Sequence, residues 1–192
     1  MSETLFTSDL HFYHEHICTY NPRPWTNAEN TERLIDIWNS QVRPGDTVYH
    51  GGDFSFLKAR EVDRLEHLVE ALNGNKIFIL GNHDHIELWS ELRKRNLSRV
   101  RSITDSKWIK VHGKDIAMCH YPWEVWRNSH YGSWHLHGHC HGSMPQRGKR
   151  LDVGIDNHPQ HKLFTFEEIK VYMDAQEVWA PDGHKVRIKE TV

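Results

Sequence analysis

No apolar run in this chain approaches the length needed to cross a membrane, and none stands at the amino end ahead of a small-residue cleavage site. The reading therefore expects neither a transmembrane helix nor a secretory leader. Cysteine is scarce: Cys18, Cys119 and Cys140 are odd in number and show no C-x-x-C spacing. That argues against a disulfide framework and for a reducing, cytoplasmic setting. Neither sign of charge prevails, with 24 Lys and Arg against 26 Asp and Glu. A field so nearly neutral gives no reason to expect tight, non-specific duplex binding. Repeats and low-complexity tracts are missing as well. What remains is 192 residues at 38% hydrophobic, enough for one compact domain over 1–192 and too little for two. The one excess is histidine, at 17 residues, the commonest side-chain metal ligand and the usual proton carrier near neutral pH.

The first half alternates strands and helices. "TLFTSD" reads as a short buried strand. "TNAENTERLIDIWNSQV" reads as a helix capped by Thr26 with Glu29 completing a capping box, and Leu34, Trp38 and Val42 fall on one face. "TVYHGGDF" gives a second strand and glycine loop. "LKAREVDRLEHLVEAL" gives a second helix with Val62, Leu65, Val69 and Leu72 aligned. "KIFIL" is a third strand delivering "GNHDH", followed by a helical "IELWSELRKR". Beyond this point "KWIKV", "DIAMC", "WHLHG" and "RLDVGI" read as strands, "TFEEIKVY" as one short helix, and "EVWAPDGHKVRI" as a hairpin around "PDG". The fold class expected is α/β, or α+β: a two-sheet β-sandwich with helices outside, an αββα arrangement. Its core covers about 4–156, with a C-terminal helix and hairpin at about 164–190.

Chemistry-bearing residues fall where these strands end: Asp9 and His11, then Asp53, then Asn82 and His83, then His120, then His139 and His141. Ligands from several strand ends converge on one rim of an open α/β sheet. Within each pair spaced by two, extended backbone places both side chains on the same side and turns Cys140 away, as an apolar filler. Seven ligands exceed what one ion takes and suit two ions sharing a carboxylate, typically about 3.5–4 Å apart. Asp53 is the bridging candidate, offering one oxygen to each ion, and Asn82 adds a carbonyl oxygen without charge. Two carboxylates against two divalent ions leave positive charge for a phosphate ester. Mixed nitrogen and oxygen donors favour Mn first, then Fe, Zn, Ni or Co, over Mg or Ca.

"SDLH", "GGDF", "GNHD", "CHYP" and "HGHCHG", in that order, resemble the motif series of calcineurin-like metallophosphoesterases, closest to the small bacterial and phage members. The resemblance implies one metal held by Asp9, His11, Asp53 and His141, and a second by Asp53, Asn82, His120 and His139. It implies His83 as the catalytic acid and a sandwich fold flanked by helices. The protein-phosphatase branch of that family places an aspartate where this chain has Phe56, which makes a protein substrate less expected and leaves Asp84 as the candidate orienter of His83.

Four further residues are read as substrate contacts: His14 and Arg23 facing the phosphate, and Asn128 and His130 in "YPWEVWRNSHYGSW". Tyr121, Trp123 and Trp126 in that stretch are read first as hydrophobic packing, with stacking on a nucleobase as the other reading. The expected activity is hydrolysis of small phosphate mono- or diesters, nucleotides and cyclic nucleotides among them, by a metal-bridging hydroxide. Two rival readings stand beside it: a nuclease acting on nucleic-acid ends, and an inactive scaffold of the same fold. No membrane partner is expected.

Overall fold

The computed structural model describes residues 2–187. In chain order its elements are β1 (Thr4–Thr7), α1 (Ile17–Tyr20), α2 (Asn30–Gln41), β2 (Thr47–His50), α3 (Val62–Ala71), β3 (Asn75–Ile79) and α4 (Ile86–Lys94). There follow β4 (Val100–Thr104), β5 (Ser106–Val111), β6 (Lys114–Cys119), β7 (Trp134–His137), β8 (Arg150–Asp152), β9 (Phe164–Thr165) and α5 (Phe166–Asp174). One sheet has the order β4-β3-β2-β1-β9 and the other β5-β6-β7-β8. In the first sheet β1 to β4 are parallel and β9 is antiparallel. In the second, β6, β7 and β8 are parallel and β5 is antiparallel to β6.

Alternation along each strand sorts the core into two layers. Leu5, Val48 and Phe78 pack with Leu34 and Trp38 of α2, Leu65 and Val69 of α3, and Leu88 and Trp89 of α4. Their neighbours Phe6, Ile77 and Ile79 turn the other way, onto Ile116, Met118, Trp134 and Leu136 of the second sheet. Phe166, Ile169 and Met173 of α5 join that inter-sheet layer. The two-sheet sandwich flanked by helices is thus present. Its long helices lie against the first sheet, whereas His135 on the outer face of the second is covered by the 121–133 loop, through Trp123 and Trp126. No helix among the described residues is long and apolar enough to cross a membrane.

Three local expectations need correction. β4, which the half-polar "VRSIT" does not advertise, pairs with β3 at the sheet edge. Thr26 and Glu29 do exchange capping-box hydrogen bonds, yet the helix proper starts at Asn30, after a turn. The hairpin about 177–188 does not form within the described residues, and its last residue lies outside them. The segment is instead tied to the 121–133 loop: Arg187 N–H donates to the His130 carbonyl at 2.9 Å, and Trp179 Nε1 to Glu124 at 3.3 Å.

Candidate functional site

Parallel strands end at the same rim, and the loops leaving β1, β2, β3, β6 and β7 carry Asp9 and His11, Asp53, Asn82 and His83, His120, and His139 and His141 respectively. The backbone there is not extended, as the spacing of two presumes. Asp9 (φ 57°), His11 (50°), Asp53 (56°), His139 (71°) and His141 (45°) all sit in the left-handed region. Such conformations are strained for residues with a Cβ and persist where surrounding structure holds them, commonly at functional sites. Two glycines let the loops close. A Cβ on Gly138 would strike Ser8 and the Asp9 carboxylate, and one on Gly52, at φ 107°, would strike the His120 ring.

The side chains form two clusters that meet. Asp9, His11 and His141 present atoms within 4.8 Å of one another, as do Asp9, Asp53 and His120. Around the second cluster, Asn82 Oδ1 lies 3.0 Å from His120 Nε2 and 2.9 Å from His139 Nδ1. Asp53 Oδ2 lies 3.3 Å from His120 Nε2 and 3.8 Å from His11 Nε2. Its Oδ1 accepts the His83 backbone N–H at 2.8 Å. Asp9 is the residue the two clusters share, while Asp53 Oδ2 faces a histidine of each.

The donor set fits divalent metal. Both ring nitrogens of His11 are buried without a hydrogen-bond partner, an arrangement that is unfavourable unless something accepts them. Two of the other histidines are oriented from behind. His120 Nδ1 faces the Gly51 carbonyl at 3.0 Å and His141 Nδ1 faces Asp156 Oδ2 at 2.9 Å. Each ring is thereby left with Nε2 toward the cluster, the arrangement typical of metal-binding histidines. Burial pushes the Asp9 carboxyl up to about 7 against the pull of His120 and His141. Burial also works against charge on Asp53 and His120, but their mutual hydrogen bond and attraction prevail, holding Asp53 down to about 2 and raising His120 to about 9. A cation at these oxygens would displace that proton. Burial drives His11 down to about 3, so its ring is neutral and free to ligate.

Residues that sequence reasoning missed or misplaced form the support. Arg23 does not face the rim. All five of its N–H donors are taken, by both Asp156 oxygens and by Asp9 O, Leu10 O and Asn30 Oδ1. Asp156, unremarked in the sequence, links it to His141. Asp84 does not orient His83: its oxygens accept backbone N–H groups from Gly81, Asp53 and Phe54, and Trp89 Nε1. Burial pushes the Asp84 carboxyl up to about 7 against those donors. His83 rests instead on Phe56, 5.1 Å between ring centroids, and beside His11 at 5.5 Å. His14 packs on Phe56 as well, at 4.2 Å, and lies 5.8 Å from His11, which keeps it beside the cluster. Asn128 and His130 do not join the cluster. β6 and β7 are parallel, so their connection must return to the strand's starting end. It leaves both residues just ahead of Trp134, away from the rim. No local signal in the sequence separates these cases.

Sheets that deliver carboxylates and histidines from parallel strand ends into paired clusters define a metal-dependent hydrolase site. Residues 3–155 match the calcineurin-like phosphoesterases, and the chain belongs to that family, whose members hydrolyse phosphoesters with divalent metal. It is 31% identical over 144 residues to the uncharacterized protein MJ1445 of Methanocaldococcus jannaschii, covering 74% of this chain and 72% of that one. It is 27% identical to the gene 66 protein of Mycobacterium phage D29, covering 88% of this chain and 95% of that one. Among solved structures it resembles the protein of unknown function AQ665 from Aquifex aeolicus, at TM-score 0.66 and 25% identity, covering 90% of this chain and all of the other.

Proposed function

We propose that the protein is a dinuclear metal phosphoesterase acting on small phosphate mono- or diesters. The observation that carries this reading is Asp53 Oδ2, a single carboxylate oxygen set between His120 Nε2 and His11 Nε2. Asp9, His11, Asp53 and His141 would hold one ion, and Asp53, Asn82, His120 and His139 the other. Bound ions supply Lewis acidity at the phosphoryl oxygens and lower the pKa of water. The nitrogen and oxygen donors, with no thiolate among them, suit Mn, Fe, Zn, Ni or Co better than Mg or Ca.

The chain's own part is positioning and proton delivery. His83 reaches the rim from a backbone fixed by its N–H bond to Asp53, and it protonates the leaving oxygen. Packing on Phe56, in place of a carboxylate, sets its ring. His14 shares that aromatic support and contacts substrate from the same side. The free cysteines, Cys18, Cys119 and Cys140, agree with a reducing, cytoplasmic setting. The test is metal analysis of the purified chain joined to a panel of monoesters, linear diesters, cyclic nucleotides and oligonucleotides with Mn, Ni, Zn and Mg. Turnover that needs two metal equivalents supports the reading, and full activity in chelator overturns it.

A further inference from the structure

Beyond the ligands, the rim carries aromatic surface that the core does not use. Tyr121 follows His120 directly and is 46% exposed. Its ring stands 4.8 Å from His139 and 5.2 Å from His120 between centroids. Two residues on, Trp123 lies flat on buried His135, at 5.3 Å and 11°. Its backbone N–H donates to His135 Nε2 at 2.9 Å. Trp108 of β5 packs on Trp123 at 5.8 Å and 36°, and is itself 46% exposed. Trp108 and His135 thus stand on one face of the sheet with Trp123 packed against both, and Trp108 leaves a wet indole, while Trp38, Trp89 and Trp134 are fully buried. Trp108, Pro122, Trp123, Val125 and Arg127 line one open recess of about 660 Å³.

Its position relates it to the chemistry. Trp108 pairs with Ala117, three residues before His120. At ~3.3 Å per residue the indole stands roughly 10 Å along the strand from that ligand, a separation a sugar between phosphate and ring bridges. The platform is rigid, because His135 is fixed from both sides of its ring: Nδ1 meets the Ala117 carbonyl at 3.1 Å, and Nε2 takes the Trp123 N–H. A preformed aromatic face beside a cation suits a planar, neutral, polarisable ring, and every nucleobase has such a face. Simple alkyl or sugar phosphates have nothing to place there.

We propose that the recess lined by Trp108 and Trp123 holds the base of a nucleotide ester whose phosphate lies at the metal rim. This inference rests on the phosphoesterase reading for the role of the phosphate. Free nucleotides and strand ends share the same base, so the test separates them.

The probes are the phosphonate analogues of AMP and of ribose 5-phosphate, in which carbon replaces the bridging oxygen so that neither is hydrolysed. Their binding to the Mn-loaded full chain is measured by calorimetry. The AMP analogue should bind roughly 5- to 100-fold more tightly, the range expected for one base–aromatic stack. Trp108→Ala should remove that preference without changing affinity for the ribose analogue, and Trp108→Phe should restore most of it. Equal affinities in the unmodified chain, or a preference that survives Trp108→Ala, overturn the proposal. Competition by a single-stranded oligonucleotide with steep salt dependence assigns the base to a strand end, and competition by AMP alone assigns it to a free nucleotide. Should no ester be hydrolysed while the analogues are still discriminated, the phosphoesterase reading falls and the base recess stands.

Discussion

The carboxylate of Asp156 stands 2.9 Å from Nδ1 of His141, and its far side is gripped by Arg23, with Nε 2.7 Å from Oδ1. The chain of contacts runs from the buried Arg23 guanidinium to the His141 imidazole through Asp156, 133 residues from Arg23 in sequence. It favours the proton on Nδ1 of His141 and leaves Nε2 toward the cluster, where a metal would be held. Asp156→Asn should lower metal affinity by roughly 10- to 100-fold, the usual effect of losing such a carboxylate partner. Titration against a chelator, with circular dichroism to confirm folding, measures it. An unchanged affinity would mean that the Asp156 contact does not tune the ligand. Arg23→Lys should not substitute, because an ammonium lacks the planar fork that fills five positions.

The two aspartates of the site should respond unequally. Asp53 faces histidines of both clusters through one oxygen and fixes the His83 backbone through the other. Asp53→Asn should therefore lose more metal and more rate than Asp9→Asn. Asp9 is itself a member of both clusters, so its variant should lose metal too, but to a lesser degree. Equal metal content and equal rates in the two variants would remove the bridge from Asp53.

Removing His83 should matter according to the leaving group. A general acid typically contributes about 10²- to 10⁴-fold, but only where the departing oxygen needs a proton. His83→Ala should impair alkyl and sugar esters far more than nitrophenyl esters. Its metal content should hold, since the bond to Asp53 is made by backbone. Parallel losses on both ester types would assign His83 to charge stabilisation instead.

Two buried histidines should make the stability of the metal-free chain depend on pH over a defined range. Burial pushes His50 and His135 down to about 3, whereas in the unfolded chain they titrate near 6.5. Between those values the unfolded state binds more protons, so each contributes stability that is present above about 6.5 and is lost as pH falls toward 3. Asp9 and Asp84, pushed up to about 7 by burial, act in the opposite direction over the same range, so the share of His135 is read from how the urea midpoint in chelator changes between pH 7.5 and pH 5. His135→Gln should shift that change toward greater relative stability at pH 5; an unshifted change would remove His135 from the pH dependence.

Sequence reasoning picked out the residues that cluster at the rim because their chemistry is rare and their placement after strands is local: "GNHD" and "HGHCHG" announce themselves. It reached the sandwich because Leu5 and Phe6 differ in destination by one residue. It failed where the decisive partner is distant. Arg23 reads as a free cation until Asp156 arrives from the far end of the core. Asn128 and His130 read as rim residues until β6 and β7 prove parallel, which no feature of either strand declares. Asp84 lies next to His83 in sequence yet turns inward to gather two loops.

The 121–133 crossover begins at one ligand, His120, and ends on the strand that delivers His139 and His141. Its ends sit at the candidate site, while its middle lies over the outer sheet face and is tied to Trp179 and Arg187. If the base recess is as proposed, substitutions between Pro122 and Arg127 would change what it accepts without touching a candidate ligand. Within this architecture, preference is free to drift while reactivity stays anchored, so two relatives alike at every ligand need not share a substrate.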